Sequence, residues 1–281
     1  MRILLAVDGS PYSDVAVEMA VEWANLVQTS ITVLTVTRQA EMTVSRVEIV
    51  DKVVLRLETA VSPSRKPQIT SRIISGHIGH PAKAILQEIA THPYDMVIMG
   101  KRPSSDWRAK LMGPTTQQII AHANIPVLIA KGHSSLLRHI LLCDSGITDP
   151  PLLTRFLTAI PAAIIRQIDV TVLHVMSQIS AGPGIPGKQL RATAEELMAG
   201  DTPEGELLRR DARLLAEAGI PKRLVLRHGL VLDEILAEAQ TGAFDLLVIG
   251  AHRKHGIPAI LLEDQAWLIL KEVNRPVLIL P

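Results

Sequence analysis

Short apolar runs alternate with amphipathic segments along the whole 281-residue chain. In the first half, Arg2–Val7 is apolar and runs into Asp8-Gly9-Ser10-Pro11, the pattern of a buried strand followed by a turn. Ser13–Leu26 places Val17, Ala20, Val21 and Ala24 at helical spacing and predicts an amphipathic helix. Ile31–Val36 is β-branched and strand-like, Val44–Thr59 is helical, and Ile69–Ser75 reads as a third strand. Pro81–Thr91 predicts a helix with proline in its first turn, where the missing N–H has no helical acceptor anyway. Asp95–Met99 reads as a fourth strand, Thr115–Ala123 as a helix and Pro126–Ala130 as a fifth strand. Strands that are apolar throughout and alternate with helices belong to parallel sheets covered on both faces.

The same pattern returns from Arg138 to Leu280. Asp95-Met96-Val97-Ile98-Met99-Gly100 recurs as Asp245-Leu246-Leu247-Val248-Ile249-Gly250, and Asn124-Ile125-Pro126-Val127 as Asn274-Arg275-Pro276-Val277. Thr32-Val33-Leu34-Thr35-Val36 recurs as Thr171-Val172-Leu173-His174-Val175, and Ile3-Leu4-Leu5 with Asp8 as Ile140-Leu141-Leu142 with Asp144. The spacing between copies grows along the chain, so the second copy carries insertions in its first half. The main one is Ser180–Gly205, rich in Gly and Pro, with a short helix predicted at Gln189–Met198 and a longer one at Glu206–Ala218. The expected division is 1–132 and 136–281. The linker Lys131–Ser135 is too short for free domain motion, so the copies must pack together. Each copy ends on a proline-led apolar strand at a sheet edge. Exposed edges invite pairing, and the two fifth strands are therefore the expected contact.

Composition narrows the function classes. Hydrophobic residues make up 47% of the chain and aromatic ones 2%, so the cores are built from aliphatic side chains. The net charge is +1, and no basic run or basic face with interleaved aromatics appears, so a nucleic-acid partner has little support. A single cysteine excludes an intrachain disulfide and fits a reducing compartment. The chain enters a strand directly without a leader-like segment, and no run approaches the roughly 18–20 apolar residues that span a membrane. A cytoplasmic protein without a membrane partner is expected.

In each copy the order and spacing of these signatures resembles the universal stress protein family. The carrying residues are Asp8-Gly9-Ser10 after the first strand, the Thr-Val-Leu-x-Val second strand, Gly79-His80-Pro81-Ala82 before a helix, the Asp-led fourth strand ending in glycine, and the Pro-Val-Leu-Ile finish. The resemblance covers nearly the whole chain, twice. It implies an α/β fold of two doubly wound, five-stranded parallel sheets with strand order 3-2-1-4-5, packed as a pseudo-dimer. It also implies an adenine-nucleotide site in members that carry G-x2-G-x9-G-[ST] after the fourth strand. Glycines there let backbone approach phosphates, and the last Gly-Ser opens a helix whose free N–H groups favour an anion. Carried onto the first copy, the site residues are Asp8, Val36, Met99, Gly100, Arg102, Gly113, Thr115 and Thr116, and the cofactor is ATP or a related adenine nucleotide.

Both copies depart from that motif. In the first, Pro103 stands where the second glycine is expected and Pro114 follows Gly113 in place of Ser or Thr. Each proline removes a backbone donor. Lys101 and Arg102 supply positive charge there. Two readings stay open: a weakened anion site, or a plain helix cap with proline at the first helical position. In the second copy Arg253 replaces the second glycine and Glu263-Asp264 replaces Gly-Ser, which places carboxylates where phosphates would bind.

Other residues have plain readings. His77 with His80, and His252 with His255, are expected to be solvated loop histidines rather than metal ligands. Cys143 is expected to be an inert thiol, and Glu195-Glu196 and Arg209-Arg210 solvated helix faces. Asp8 and Asp144 can each accept hydrogen bonds from the turn that follows. The expected function is a non-catalytic stress-response or signalling protein with degraded nucleotide motifs, acting through contacts with an unknown protein partner. Association of two chains is left open. The alternative is an adenine-nucleotide sensor working through the first copy alone. A third reading is an enzyme such as a slow ATP hydrolase, which no activated nucleophile, general-base pair or metal constellation supports beyond the resemblance.

Overall fold

The computed structural model describes residues 1–38, 44–76, 81–101, 113–132, 136–146, 149–176, 192–221, 223–251 and 264–281. In the first half the elements run β1 (Arg2–Ala6), α1 (Pro11–Leu26), β2 (Ser30–Arg38), α2 (Val44–Ala60), β3 (Gln68–Gly76), α3 (Pro81–Thr91), β4 (Met96–Gly100), α4 (Pro114–His122) and β5 (Val127–Ala130). The second half follows with β6 (His139–Cys143), α5 (Leu152–Ala159), α6 (Ala162–Ile165), β7 (Asp169–Met176), α7 (Ala194–Ala199), α8 (Pro203–Glu217), β8 (Leu224–His228), α9 (Val231–Thr241), β9 (Leu246–Gly250), α10 (Asp264–Glu272) and β10 (Val277–Leu280).

The two halves do not form separate sheets. One ten-stranded sheet runs β3-β2-β1-β4-β5-β10-β9-β6-β7-β8. Each half keeps the expected internal order, read outward-in and then inward-out. Among the described residues pairing is parallel within each half and antiparallel only where β5 meets β10. Its register places Val277 on Ile129, Leu278 on Leu128 and Ile279 on Val127, so a local two-fold axis passes between Leu128 and Leu278. Both strands are buried along their whole length. Each fifth strand thus satisfies the backbone groups that the other would leave at an edge.

The cores follow the sheet through both halves. α1 and α2 cover one face together with α5 and α8, around Trp23, Leu57, Phe156 and Leu215. α3 and α4 cover the other face together with α9 and α10, around Ile85, Ile119, Ile235 and Leu270. Each fully buried side chain of this size contributes roughly 1.5–3 kcal/mol. The linker turn is tight: Gly132 has φ +71, and a Cβ there would stand 2.5 Å from the Asn274 carbonyl of the other half. Gly132, at the start of the linker, therefore lies against the other half.

The insertion differs from its sequence reading. Residues 177–191 lie outside the described residues, and the short helix is α7, beginning five residues later than expected. Its N-terminus is a capping box in which Thr193 Oγ1 accepts from Glu196 N and Glu196 accepts from Thr193 N. Glu196 is therefore a cap and not merely a solvated face. α8 begins inside the predicted insertion because Thr202 caps it and Pro203 opens it. No described helix is long and apolar enough to cross a membrane.

Candidate functional site

β1 ends at Ala6, and the chain turns through Asp8-Gly9-Ser10 into α1. Gly9 has φ +79, and a side chain there would meet Ile49 of α2, so the turn needs glycine on both counts. The turn ties itself together through Asp8. Its Oδ1 accepts from Ser10 N at 3.0 Å and from Ser13 Oγ at 2.7 Å, while Ser13 Oγ accepts from Asp8 N at 3.0 Å. Ser13 is thus committed in both directions and holds geometry rather than offering a nucleophile. From α2, Arg46 Nη1 donates to the Asp8 carbonyl at 3.1 Å.

This turn rims a cavity of about 360 Å³ at the carboxyl ends of β1, β2 and β4. That is where open α/β sheets hold ligands, at the point where strand order reverses. Leu34, Val36, Ile85 and Met99 give it apolar walls, and Gly113, Thr115 and Thr116 close one end. Thr37 also lines it, is 1% exposed, and its hydroxyl has no hydrogen-bond partner among the described residues. An unpaired buried hydroxyl costs about 1–3 kcal/mol, which favours an occupant able to bond it.

The end formed by α4 behaves as a helix start. Gly113 precedes it with φ −56 and ψ 150, Pro114 takes the first position, and Gln117 N donates back to the Gly113 carbonyl at 3.3 Å. The Thr115 and Thr116 amides are the first-turn donors that Pro114 leaves in place. Gly113 needs no left-handed backbone. Gly100 is fixed by packing: a Cβ there would stand 2.0 Å from the Tyr12 carbonyl at the start of α1. Its role is to admit that helix, a different demand from the phosphate approach expected of it.

The second half is built differently at the equivalent place. Asp144 Oδ1 accepts from Gly146 N at 2.8 Å, reproducing the turn. Asp144 is 3% exposed, however, whereas Asp8 is exposed. Arg210 of α8 lies 3.8 Å from Asp144 and 2.9 Å from Asp211, and Asp211 Oδ2 lies 2.8 Å from His174 Nε2. Asp211 and His174 are themselves buried. Arg155 of α5 donates to the Leu280 and Pro281 carbonyls, and its Nη2 would lie 2.7 Å from a Cβ on Gly250, the counterpart of Gly100. Burial lowers the Arg155 pKa, and the Asp144 charge raises it in opposition. Arg210 therefore lies beside Asp144 and Arg155 beside Gly250, the counterparts of Asp8 and Gly100. Arg210 is no solvated helix face, and Arg209 likewise caps the Met198 and Gly200 carbonyls.

Lys101 also departs from its expected role. Its ammonium donates to the Leu270 and Lys271 carbonyls, at the C-terminal end of α10 across the seam, both at 3.3 Å. Lys131, 6% exposed, reaches the same Leu270 carbonyl. Burial pushes Lys131 down to about 7, with the Lys101 charge acting in the same direction and Glu272 against it.

The profile of the universal stress protein family matches residues 1–131 and again 137–281. The chain belongs to the universal stress protein family. A universal stress protein of Mycobacterium tuberculosis (strain ATCC 25618 / H37Rv) is 25% identical over 223 residues, covering 71% of this chain and 72% of the relative. The crystal structure of a universal stress protein from Archaeoglobus fulgidus DSM 4304 superposes with a TM-score of 0.68 at 16% identity, covering 99% of this chain and 97% of that one. A half-length universal stress protein solved in complex with cAMP matches 48% of this chain, which covers 98% of it, at 20% identity and a TM-score of 0.40.

Of the universal stress protein site residues expected from sequence, Asp8, Val36, Met99, Gly100, Gly113, Thr115 and Thr116 all line the one cavity. Arg102 and Pro103 lie outside the described residues, as do His77, His80, His252, His255, Arg253 and Glu263; the side chain of Asp264 is likewise not described. Burial pushes the Cys143 thiol up to about 12, with Glu238 and Asp144 adding to it. Sequence reasoning missed Arg46, Thr37 and the placement of Arg155 and Arg210. Comparing the copies position by position offers one signal: Thr35 in the first strand-two signature becomes His174 in the second.

Proposed function

We propose that the chain is a non-catalytic stress-signalling protein that holds one adenine nucleotide, or a closely related ligand, in its first half alone. The observation that carries this reading is the contrast between two equivalent aspartates. Asp8 opens onto a cavity with an unpaired hydroxyl, whereas Asp144 is enclosed with Arg210 and Arg155. A volume of about 360 Å³ suits a nucleoside-sized ligand and lies at the small end of ligand sites. The adenine preference rests on membership of the family. Binding rather than turnover is favoured because Ser13, the hydroxyl beside Asp8, is engaged as both donor and acceptor.

A second reading has its own support. Pro114 removes a donor at α4, and Lys101 is held at the seam. Both weaken the phosphate end, which favours signalling through contacts with a protein partner and without a nucleotide. Mass spectrometry of ligand released on denaturing freshly purified protein, with calorimetric titration of AMP and ATP, separates the two. A stoichiometry near one per chain supports the first reading. No released nucleotide and no heat of binding overturns it in favour of the second.

A further inference from the structure

The cavity of the first half lies across an edge of the sheet, so its two rims come from opposite faces. α4, with the Thr115 and Thr116 amides, belongs to the face that also carries α3. α2, with Arg46, belongs to the face that also carries α1. Among the described lining residues Arg46 supplies the side-chain cation. Lys101 is committed across the seam, and Pro114 has taken one donor from α4.

Arg46 is also held in place. Its Nη1 donates to the Asp8 carbonyl at 3.1 Å, and no other hydrogen bond to its guanidinium is made among the described residues. An arginine anchored through one nitrogen keeps a planar set of further donors aimed beside that anchor. Asp8 is acidic and exposed at the same rim, so a cation beside it favours an entering anion.

From this arrangement we infer that Arg46 is the specificity-determining residue for ligand charge: from α2, across the cavity from the Thr115 and Thr116 amides of α4, it selects a phosphorylated nucleoside over the bare nucleoside. The inference rests on the proposed nucleotide reading. A charge-assisted hydrogen bond to phosphate corresponds to about a 10- to 100-fold preference.

The test is calorimetric titration of the full chain with adenosine and with AMP, comparing wild type with Arg46→Gln and Arg46→Lys. The expected result is a fall of about 10- to 100-fold in the AMP-to-adenosine affinity ratio for Arg46→Gln, with partial recovery in Arg46→Lys. The salt dependence of AMP binding should flatten in Arg46→Gln as well. An equal loss for both ligands would reduce Arg46 to a brace for the Asp8 turn, and an unchanged ratio would remove it from recognition; either overturns the inference while leaving the nucleotide reading standing. Failure of wild-type protein to bind either ligand overturns both.

Discussion

The ammonium of Lys131 meets the main-chain carbonyl of Leu270 at 2.5 Å, joining residues 139 positions apart in the chain. Lys131 leaves the end of β5 and Leu270 lies in the last turn of α10. A cation at a helix C-terminus is favourable. Here burial and the neighbouring Lys101 charge, which disfavour the cation, outweigh the attraction of Glu272.

That balance predicts a pH dependence. With a folded pKa of about 7 against 10.5 in the unfolded chain, Lys131 is charged in both states below pH 7, and its burial there costs most. Between pH 7 and 10.5 the unfolded state binds more protons, so this contribution to stability improves as pH rises. The shift sets an upper bound of about 5 kcal/mol. Urea denaturation should therefore show Lys131→Met stabilised relative to wild type at pH 6.5, with the difference shrinking by pH 9.5. A difference that is constant across this range counts against the assignment.

Gly100→Ala should be severely destabilising, by about 2–4 kcal/mol or to the point of no soluble product. Its Cβ would be forced onto the Tyr12 carbonyl, and backbone cannot move aside as a side chain can. Gly219→Ala is the control: φ is +70 there but nothing lies within 4 Å, so only about 1 kcal/mol of backbone strain is expected. Thermal unfolding of the two variants should separate them clearly.

Arg210→Met should cost about 2–3 kcal/mol, somewhat below the range for fully buried pairs because Arg210 is partly exposed. The loss comes from removing the Arg210 charge beside Asp144 and leaving Asp211 with His174 alone. Adding Asp144→Asn should restore part of it in a double-mutant cycle. Strict additivity of the two changes would show that the pair does not interact.

Pro114→Ser should tighten AMP binding by roughly tenfold, because it returns a backbone donor and a hydroxyl to the first turn of α4. The helix should lose a little stability at the same time, since proline is favourable at that position. Titration of AMP against this variant measures the effect, and unchanged or weaker binding would mean that α4 does not touch the phosphate.

The fold was largely readable because buried parallel strands leave a strong local trace. Met96–Gly100 and Leu246–Gly250 are continuous apolar runs, and the recurrence of their neighbours fixed the strand order through the family resemblance. What joined the halves into one sheet was visible only as two edges in need of cover. Charged residues carried far less local information. Lys131 follows an apolar strand with nothing beside it in sequence to show that it turns inward. Arg46 and Arg210 lie on helices whose inner faces are settled by tertiary contacts. Asp211 is the exception that could have been found: Val53 and Asp211 each stand four residues before a fully buried leucine, Leu57 and Leu215, so a core valine in one copy answers to a carboxylate in the other.

The covalent fusion of the halves has a consequence for what substitutions are open to them. Two identical subunits sharing such a junction would receive every mutation twice, and an arginine that closes one ligand site would close both. Here the β5–β10 seam binds two unlike copies in a fixed one-to-one ratio. One copy can then place Arg210 against a buried Asp144 while the other leaves Asp8 exposed. The asymmetry is inherited with the chain and needs no second gene product to maintain it.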